Sequence, residues 1–506
     1  MLDRIPKLTL PATAILILGM IVTLMSDLAD PDYFWHLRAG QWVIENGRLP
    51  VNDPFLWSQA NTPWLHHGWL SDIGMFWIHT HVGSSAFSAL IGLLFTLTLG
   101  VMYWFSRQYA PEFISLLLVS LGAGVILPWA GARPQSVTYL FFAFFLAVLL
   151  RFKDKGQTKW IWVLPVSIIL WANLHGGYIM GIVLIGMVAG LMLLEGLWES
   201  PSSWLAALKA TGPLWICMLL AIVAACINPY KVDLLILPFK ALSQWIIPYI
   251  AEWHPPRLGD RGSSSFFVLL ALWTLMQIYR ASKPSLFELG LPLVFILMGL
   301  AHARHAPLFA IILTAFNART VMDIWPTLVN NFTRKFGISP IVSRATQDIG
   351  VVQYLINWAL VLTALGATAY LLPNKVEAQL KAHNEIIGYS AIEYLTKHPA
   401  PGPIFNQYGF GGYLTWRLWP EQRAFIDGRS DMFSDQFSKD YFAIIGGEPD
   451  WEKKFDLHQF NTVVIGKANP LRQLLILKGQ FSETFADDKL TILVRKNISQ
   501  ANSAGK

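Results

Sequence analysis

The chain has 506 residues, of which 54% are hydrophobic and only 14% charged, with a formal net charge of +6 and a mean hydropathy of +0.44. A composition this apolar excludes an ordinary soluble domain or a disordered chain and describes a polytopic membrane protein. The basic excess calls for no nucleic acid, because Lys and Arg cluster beside apolar stretches, where they anchor cytoplasmic loops.

A helix needs about 20 apolar residues to cross a bilayer. Stretches that approach this length fall at 8–26, 86–105, 112–130, 136–152, 159–173, 177–198, 213–228, 265–281, 286–302, 305–318 and 352–372. The fold class expected is therefore an α-helical multi-pass membrane protein with about eleven spans. MLDRIPK before the first span resembles the start of a leader, but no small-residue cleavage site closes it, so a retained helix is expected. With the N-terminus inside, fourteen Lys and Arg fall on the cytoplasmic side and eight on the other, whose loops are longer. Cys217 and Cys226 share one span, nine residues apart, too far along a helix to bridge.

This topology collects nine histidines (His36, His66, His67, His79, His81, His175, His254, His302 and His305) on or beside the outer face. The outer ends of the helices are expected to converge on one polar cavity, although histidine also suits headgroup level beside tryptophan. Two outer loops are large, 27–84 and 229–263. The first carries two amphipathic pieces, at 33–47 and 69–81, of the kind that lies flat in the interface.

The same loops hold a set of ionisable and polar groups where such groups are costly and tend to be functional or tightly paired. Asp30 and Asp32 can take a proton from a hydroxyl, although DPD before an aromatic helix is also a good helix start. Arg133, Arg304 and His305 can neutralise a departing phosphate, although Arg133 beside Pro134 also suits a snorkelling anchor. His36, His66, His67, Asn173, His175, Glu252 and His254 can orient a substrate. Aspartates and histidines on one face could hold a divalent metal, but HH at 66–67 and HARH at 302–305 match no strong ligand spacing.

The tail, 374–506, is polar and mixed, so the chain divides into a membrane part, 1–373, and a small α/β domain. Strand-like runs GPIFNQ, RAFIDG, NTVVIG and LTILVR alternate with helix-like SAIEYLTKH, SKDYFAIIG and NPLRQLLILKG. QYGFGGYL matches a dinucleotide fingerprint only in part, since Leu414 stands in place of the third glycine, and a tight turn at a strand-to-helix junction is the better reading. IDGRSDMF groups Asp427, Arg429 and Asp431 after a strand, where ligands often bind and where a salt-bridged turn is the competing explanation.

The ordered string ADPDYFWHLRAGQWVIENGRLPVNDPFLWS, TPWLHHGWLSD, ARPQS, LWANLHGGYIMG, INPYK, AEWHPP and ARHAPLFA resembles bacterial integral membrane glycosyltransferases of the GT-C type. The likeness is to protein mannosyltransferases, aminoarabinose transferases of lipid A modification and Rgt-type transferases, and it runs through nearly the whole chain. It implies a sugar donor on a polyprenyl phosphate, a glycan, lipid or protein acceptor, and inverting transfer on the outer face of the bacterial inner membrane. The N-terminus would be cytoplasmic and the tail domain extracytoplasmic. It places the catalytic acid in the first outer loop, at Asp32 or Asp30, where many relatives have adjacent Asp-Glu. Such relatives also often carry an acid before WL in the segment corresponding to HHGWL, where this chain has Gly68. Competing classes are a non-catalytic scaffold of envelope polysaccharide assembly, a polymerase or ligase moving whole glycans from lipid carriers, and a secondary transporter. The transporter lacks support, because no internal repeat is evident and the ionisable groups gather at one end.

Overall fold

The structure, a computed structural model, describes residues 8–26, 28–260, 262–280, 282–336 and 350–496. Of the basic residues in the loop count above, Arg4, Lys7, Arg261 and Arg344 lie outside the described residues. Packing divides the chain into two units, Met1–Ser26 with Ala89–Leu235 and Ile250–Leu371, and Asp27–Ser88 with Ile236–Tyr249 and Leu372–Lys506. The first outer loop thus packs with the tail, whereas a division by composition separates them at residue 373.

Every one of the eleven expected spans coincides with a helix. Among the described residues, seven segments are long and apolar enough to cross a membrane: Ser84–Ser106, Glu112–Trp129, Gln135–Lys155, Tyr178–Glu199, Pro201–Ala225, Ala303–Trp325 and Val351–Lys375. Four shorter apolar ones are Leu10–Met25, Thr158–Leu174, Ser263–Tyr279 and Leu286–Ala301. The chain is accordingly a multi-pass membrane protein. In the first unit the helix Ala306–Phe336 is central, with Phe309, Ala310, Ile312 and Leu313 fully buried and Phe309 stacked on Phe266 at 4.1 Å. Peripheral helices keep apolar side chains such as Leu194, Trp198, Ile216 and Val223 exposed, as a surface facing lipid requires. The last apolar helix runs Val351–Ala382, through Pro373, at which the sequence reading ended it. An internal proline removes one backbone hydrogen bond, which a long helix can absorb.

The second unit contains a four-stranded mixed sheet in the order β1-β2-β4-β3, with β1 at Ile404–Asn406, β2 at Thr462–Gly466, β3 at Phe481–Ala486 and β4 at Leu490–Arg495. β1 and β2 run parallel, and the other pairs are antiparallel. RAFIDG, expected as a strand, forms a single bridge from Ala424 to Leu56 instead. Its backbone is satisfied by a side chain: Asn406 Oδ1 accepts from Phe425 and Ile426, and Asn406 Nδ2 donates to the Ile426 carbonyl. FSETFA, not among the expected strand-like runs, is the β3 edge strand.

The two amphipathic pieces of the first loop are the helices Pro31–Asn46 and Trp69–His81, packed against each other. Leu37 is fully buried and Trp35 is 8% exposed, so the apolar side of the first is spent on protein rather than on the interface as expected. Close approach depends on Gly40, where a Cβ would stand 2.0 Å from the Asp72 carbonyl oxygen. Residues 32, 36 and 40 recur every fourth position and so lie along one side of their helix.

Candidate active site

Asp30 adopts extended backbone before Pro31, and its carboxylate accepts the Asp32 backbone N–H at 2.9 Å. An aspartate cap followed by proline is a strong helix start, so one of the two candidate carboxylates holds a structural bond. Asp32 stands inside the first turn and accepts the Trp35 indole N–H at 3.1 Å. A Cβ on Gly428 would come within 1.7 Å of Asp32 Oδ1, so the carboxylate lies directly against the DGR turn of the tail. The partial fingerprint QYGFGGYL serves the same packing: a Cβ on Gly412 would stand 2.1 Å from the Pro31 carbonyl oxygen. These glycines admit a neighbouring backbone rather than a phosphate.

In the DGR turn, Arg429 is 3% exposed and Asp427 fully buried. The guanidinium donates to Asp427 Oδ2 at 2.7 Å and to Asp53 Oδ1 at 2.7 Å, while its carbon lies 4.5 Å from the centre of the Trp64 ring. Asp53 also accepts the backbone N–H groups of Phe55 and Leu56. Burial alone would lower the guanidinium pKa, but the two carboxylates outweigh it and raise it. All of these groups are engaged with one another, the arrangement of a structural clamp.

Beside them sits a group that contains a residue absent from the sequence reading. Asp72, fully buried, receives His36 Nδ1 at 2.6 Å on one oxygen and His66 Nε2 at 2.6 Å on the other. Burial would raise its carboxyl, but the charges and hydrogen bonds of the two histidines hold it down at about 2. Asp72 stands four residues after Gly68, one helical turn on, so an acid does occupy this segment. His67 is pushed below its ordinary value by burial, against the opposing pull of Asp431. The spacing HHGWLSD carried the signal for Asp72, whereas nothing near Asp53 announced a partner in the tail.

The remaining expected residues belong to the first unit. Glu252 is shared by two guanidiniums, Arg133 Nη1 at 3.3 Å and Arg304 Nη1 at 3.4 Å, all three half-buried. Arg304 also lies 4.2 Å from the centre of the Trp253 ring, and His305 meets that ring edge-on at 6.2 Å. His302 donates Nδ1–H to the Trp253 carbonyl at 2.6 Å, and His254 has an exposed side chain. His175 and Asn173 stand in other networks. His175 Nδ1 meets Thr138 Oγ1 at 2.7 Å, and Asn173 Nδ2 donates to the carbonyls of Ile169 and Ile227. Among the described residues, no group of three or more His, Cys, Asp or Glu is arranged to hold a metal ion.

No protein-family model and no curated protein matches the sequence. Solved structures do match. The oligosaccharyltransferase of Archaeoglobus fulgidus, tethered with an acceptor peptide containing the NVT sequon, aligns over 90% of this chain and 69% of its own at a TM-score of 0.51 and 12% identity. The chain has a GT-C-type fold. ArnT from Cupriavidus metallidurans, bound to undecaprenyl phosphate, aligns over 96% and 97% at a TM-score of 0.46 and 13% identity. A second structure of the archaeal oligosaccharyltransferase, with Zn and sulfate, aligns over 89% and 68% at 0.48 and 11%. At such identity the likeness is one of fold, and in this GT-C-type chain the chemistry has to be argued from its own side chains.

Proposed function

We propose that the chain is a membrane glycosyltransferase that moves a sugar from a polyprenyl-phosphate donor to a hydroxyl of an envelope glycan, lipid or protein, with inversion. The observation that carries the reading is Asp32: a half-buried carboxylate in the first turn of a helix, oriented by the Trp35 N–H and abutting Gly428. Asp30 is committed to capping, which leaves Asp32 as the proposed base that takes the acceptor proton while the hydroxyl attacks the anomeric carbon. Arg133 and Arg304 are assigned to the phosphate leaving group, with His305 beside them. Their bonds to Glu252, at 3.3 and 3.4 Å, are longer than the about 2.7–2.9 Å of a tight charge-assisted pair, and both guanidiniums keep solvent access. His36 and His66, fixed by Asp72, together with His67, are assigned to substrate orientation, as are His175, Asn173, Glu252 and His254. The Asp427, Arg429 and Asp431 turn is assigned to supporting Asp32. The catalytic face is read as extracytoplasmic in a bacterial inner membrane, with the N-terminus cytoplasmic.

The test is a transfer assay on purified protein in lipid, with polyprenyl-phosphate sugars as donors and membrane glycans as acceptors. Asp32→Asn is expected to cut turnover by about 10²- to 10⁴-fold, the usual contribution of a general base, while donor binding is retained. Asp30→Asn, which keeps a capping side chain, is expected to transfer nearly as well as wild type. Normal transfer by Asp32→Asn would remove the proposed base. Donors left unconsumed by wild type, across the panel of sugars, would sink the transferase reading.

A further inference from the structure

The second unit contains a cavity of about 260 Å³ that the proposed reaction does not use. It is lined by Tyr33, His79, Tyr389, Glu393, Tyr413 and Trp416, with Ser84 and Arg417 at its wall. Small-molecule sites typically enclose about 300–1,000 Å³, so this one suits a single ring rather than a peptide or an extended lipid chain.

Its chemistry is selective. Three aromatic side chains, Tyr389, Tyr413 and Trp416, contribute to its wall, and aromatic surface attracts the polarised C–H groups on one side of a pyranose. The polar groups are held in place before any ligand arrives. Tyr33 Oη and Ser84 Oγ both meet His79 Nδ1, at 3.2 and 3.0 Å, and burial lowers the His79 pKa. Nε2 of the same ring has no hydrogen-bond partner among the described residues. Glu393 accepts from Tyr413 Oη at 2.6 Å and from Arg417 Nε at 2.6 Å and Nη2 at 3.0 Å, which leaves acceptor capacity on a fixed carboxylate. Carboxylate and guanidinium cancel in charge. A phosphate would need a net cation here, and a hydrocarbon tail would leave the spare acceptor site on Glu393 and the His79 Nε2 unused and desolvated. A neutral, hydroxyl-rich ring meets both requirements.

We propose that this cavity binds one neutral hexopyranose unit, a subsite for a ring of the acceptor glycan other than the ring that reacts. Tyr33 follows Asp32 in the first turn of its helix, so ligand held at Tyr33 is registered to the helix that carries the proposed base. The glycan assignment rests on the transferase reading, whereas binding of the sugar can be measured without transfer.

The experiment is saturation-transfer NMR on the full chain in lipid nanodiscs, with methyl α-D-glucopyranoside and methyl α-D-mannopyranoside as probes and farnesol as the apolar comparison. Wild type and Asp32→Asn are expected to saturate the ring protons of at least one glycoside. Trp416→Ala, which removes an aromatic part of the wall, and Ser84→Phe, which fills the cavity, are expected to lose the signal. The filling variant keeps the test decisive if the truncation unfolds, since retained thermal stability with lost signal supports the subsite. Equal signal in wild type and Ser84→Phe, saturation of farnesol alone, or no saturation of either glycoside by wild type overturns the proposal. Glycoside binding by a protein that transfers nothing leaves the subsite standing and sinks the transferase; transfer without glycoside binding does the reverse.

Discussion

Two arginine clusters, one in each unit, use the same chemistry in opposite ways. Arg429 is almost wholly buried, donates at 2.7 Å to each of two carboxylates, and is enclosed by Trp64, Phe55 and Trp35. Arg133 and Arg304 remain partly exposed and share the single carboxylate of Glu252 at longer range. One cation held at 2.7 Å by two buried anions is saturated; the two cations on Glu252 are held at 3.3 and 3.4 Å and keep solvent access. Burial makes the first pairing indispensable to the fold, because a charge stripped of water and of its partner is costly. Exposure and longer pairing distances make the second the better candidate for an anionic ligand. An arginine's role is thus read from pairing distance and exposure more securely than from its presence in a loop.

The largest effect that could break this contrast is on Arg429. Arg429→Met leaves Asp427 and Asp53 buried without their cation and is expected to destabilise the second unit by about 3–5 kcal/mol, the usual cost of breaking a buried pair. Thermal unfolding in detergent and the yield of folded protein measure it. A variant with wild-type stability but altered substrate affinity would show that the clamp is a binding site after all. The converse experiment is Arg304→Gln, with Arg133→Gln beside it. Each is expected to leave the melting temperature nearly unchanged and to weaken donor binding by roughly tenfold to a hundredfold, the about 1.5–3 kcal/mol of a hydrogen bond to a charged group. The loss should shrink as salt is raised, since exposed charges are screened. A large fall in stability instead would make the two clusters alike.

The same contrast marks what the sequence could and could not disclose. The eleven apolar stretches were legible because a bilayer demands long runs of apolar residues whatever the helices pack against. The ADPDYFW helix start was legible for a similarly local reason, since cap, proline and first turn are neighbours in the chain. The Arg429 clamp was not, because Asp53 lies 376 residues away and has only a turn around it. RAFIDG carried the composition of a strand, yet the Asn406 side chain supplies the hydrogen bonds that a strand partner would. FSETFA failed to announce itself for the opposite reason: it is an edge strand whose first residue alone is fully buried, so its composition stays polar. Asp72 fell between these cases. Its helix was anticipated, but the two histidines it would hold could be recognised only once the helices crossed at Gly40.

Asp72 also provides the finest test of the comparison, because it is buried like the Arg429 clamp yet its partners are titratable. Its carboxyl is held at about 2 in the folded protein, below the value of about 4 expected when unfolded. A depressed acid stabilises the fold above its unfolded pKa, and that contribution disappears as pH falls through the folded value. It should therefore be fully present at neutral pH, at about 2 kcal/mol, and be lost between about pH 4 and pH 2. Melting temperature followed across that window is expected to fall in wild type and to fall less steeply in Asp72→Asn, which starts lower at neutral pH because the amide cannot serve both histidines as a charged acceptor. Identical acid slopes in the two proteins would show that Asp72 does not carry this linkage. The His36 and His66 rings would then owe their orientation to stacking on Trp35 at 3.6 Å and Trp64 at 4.4 Å instead.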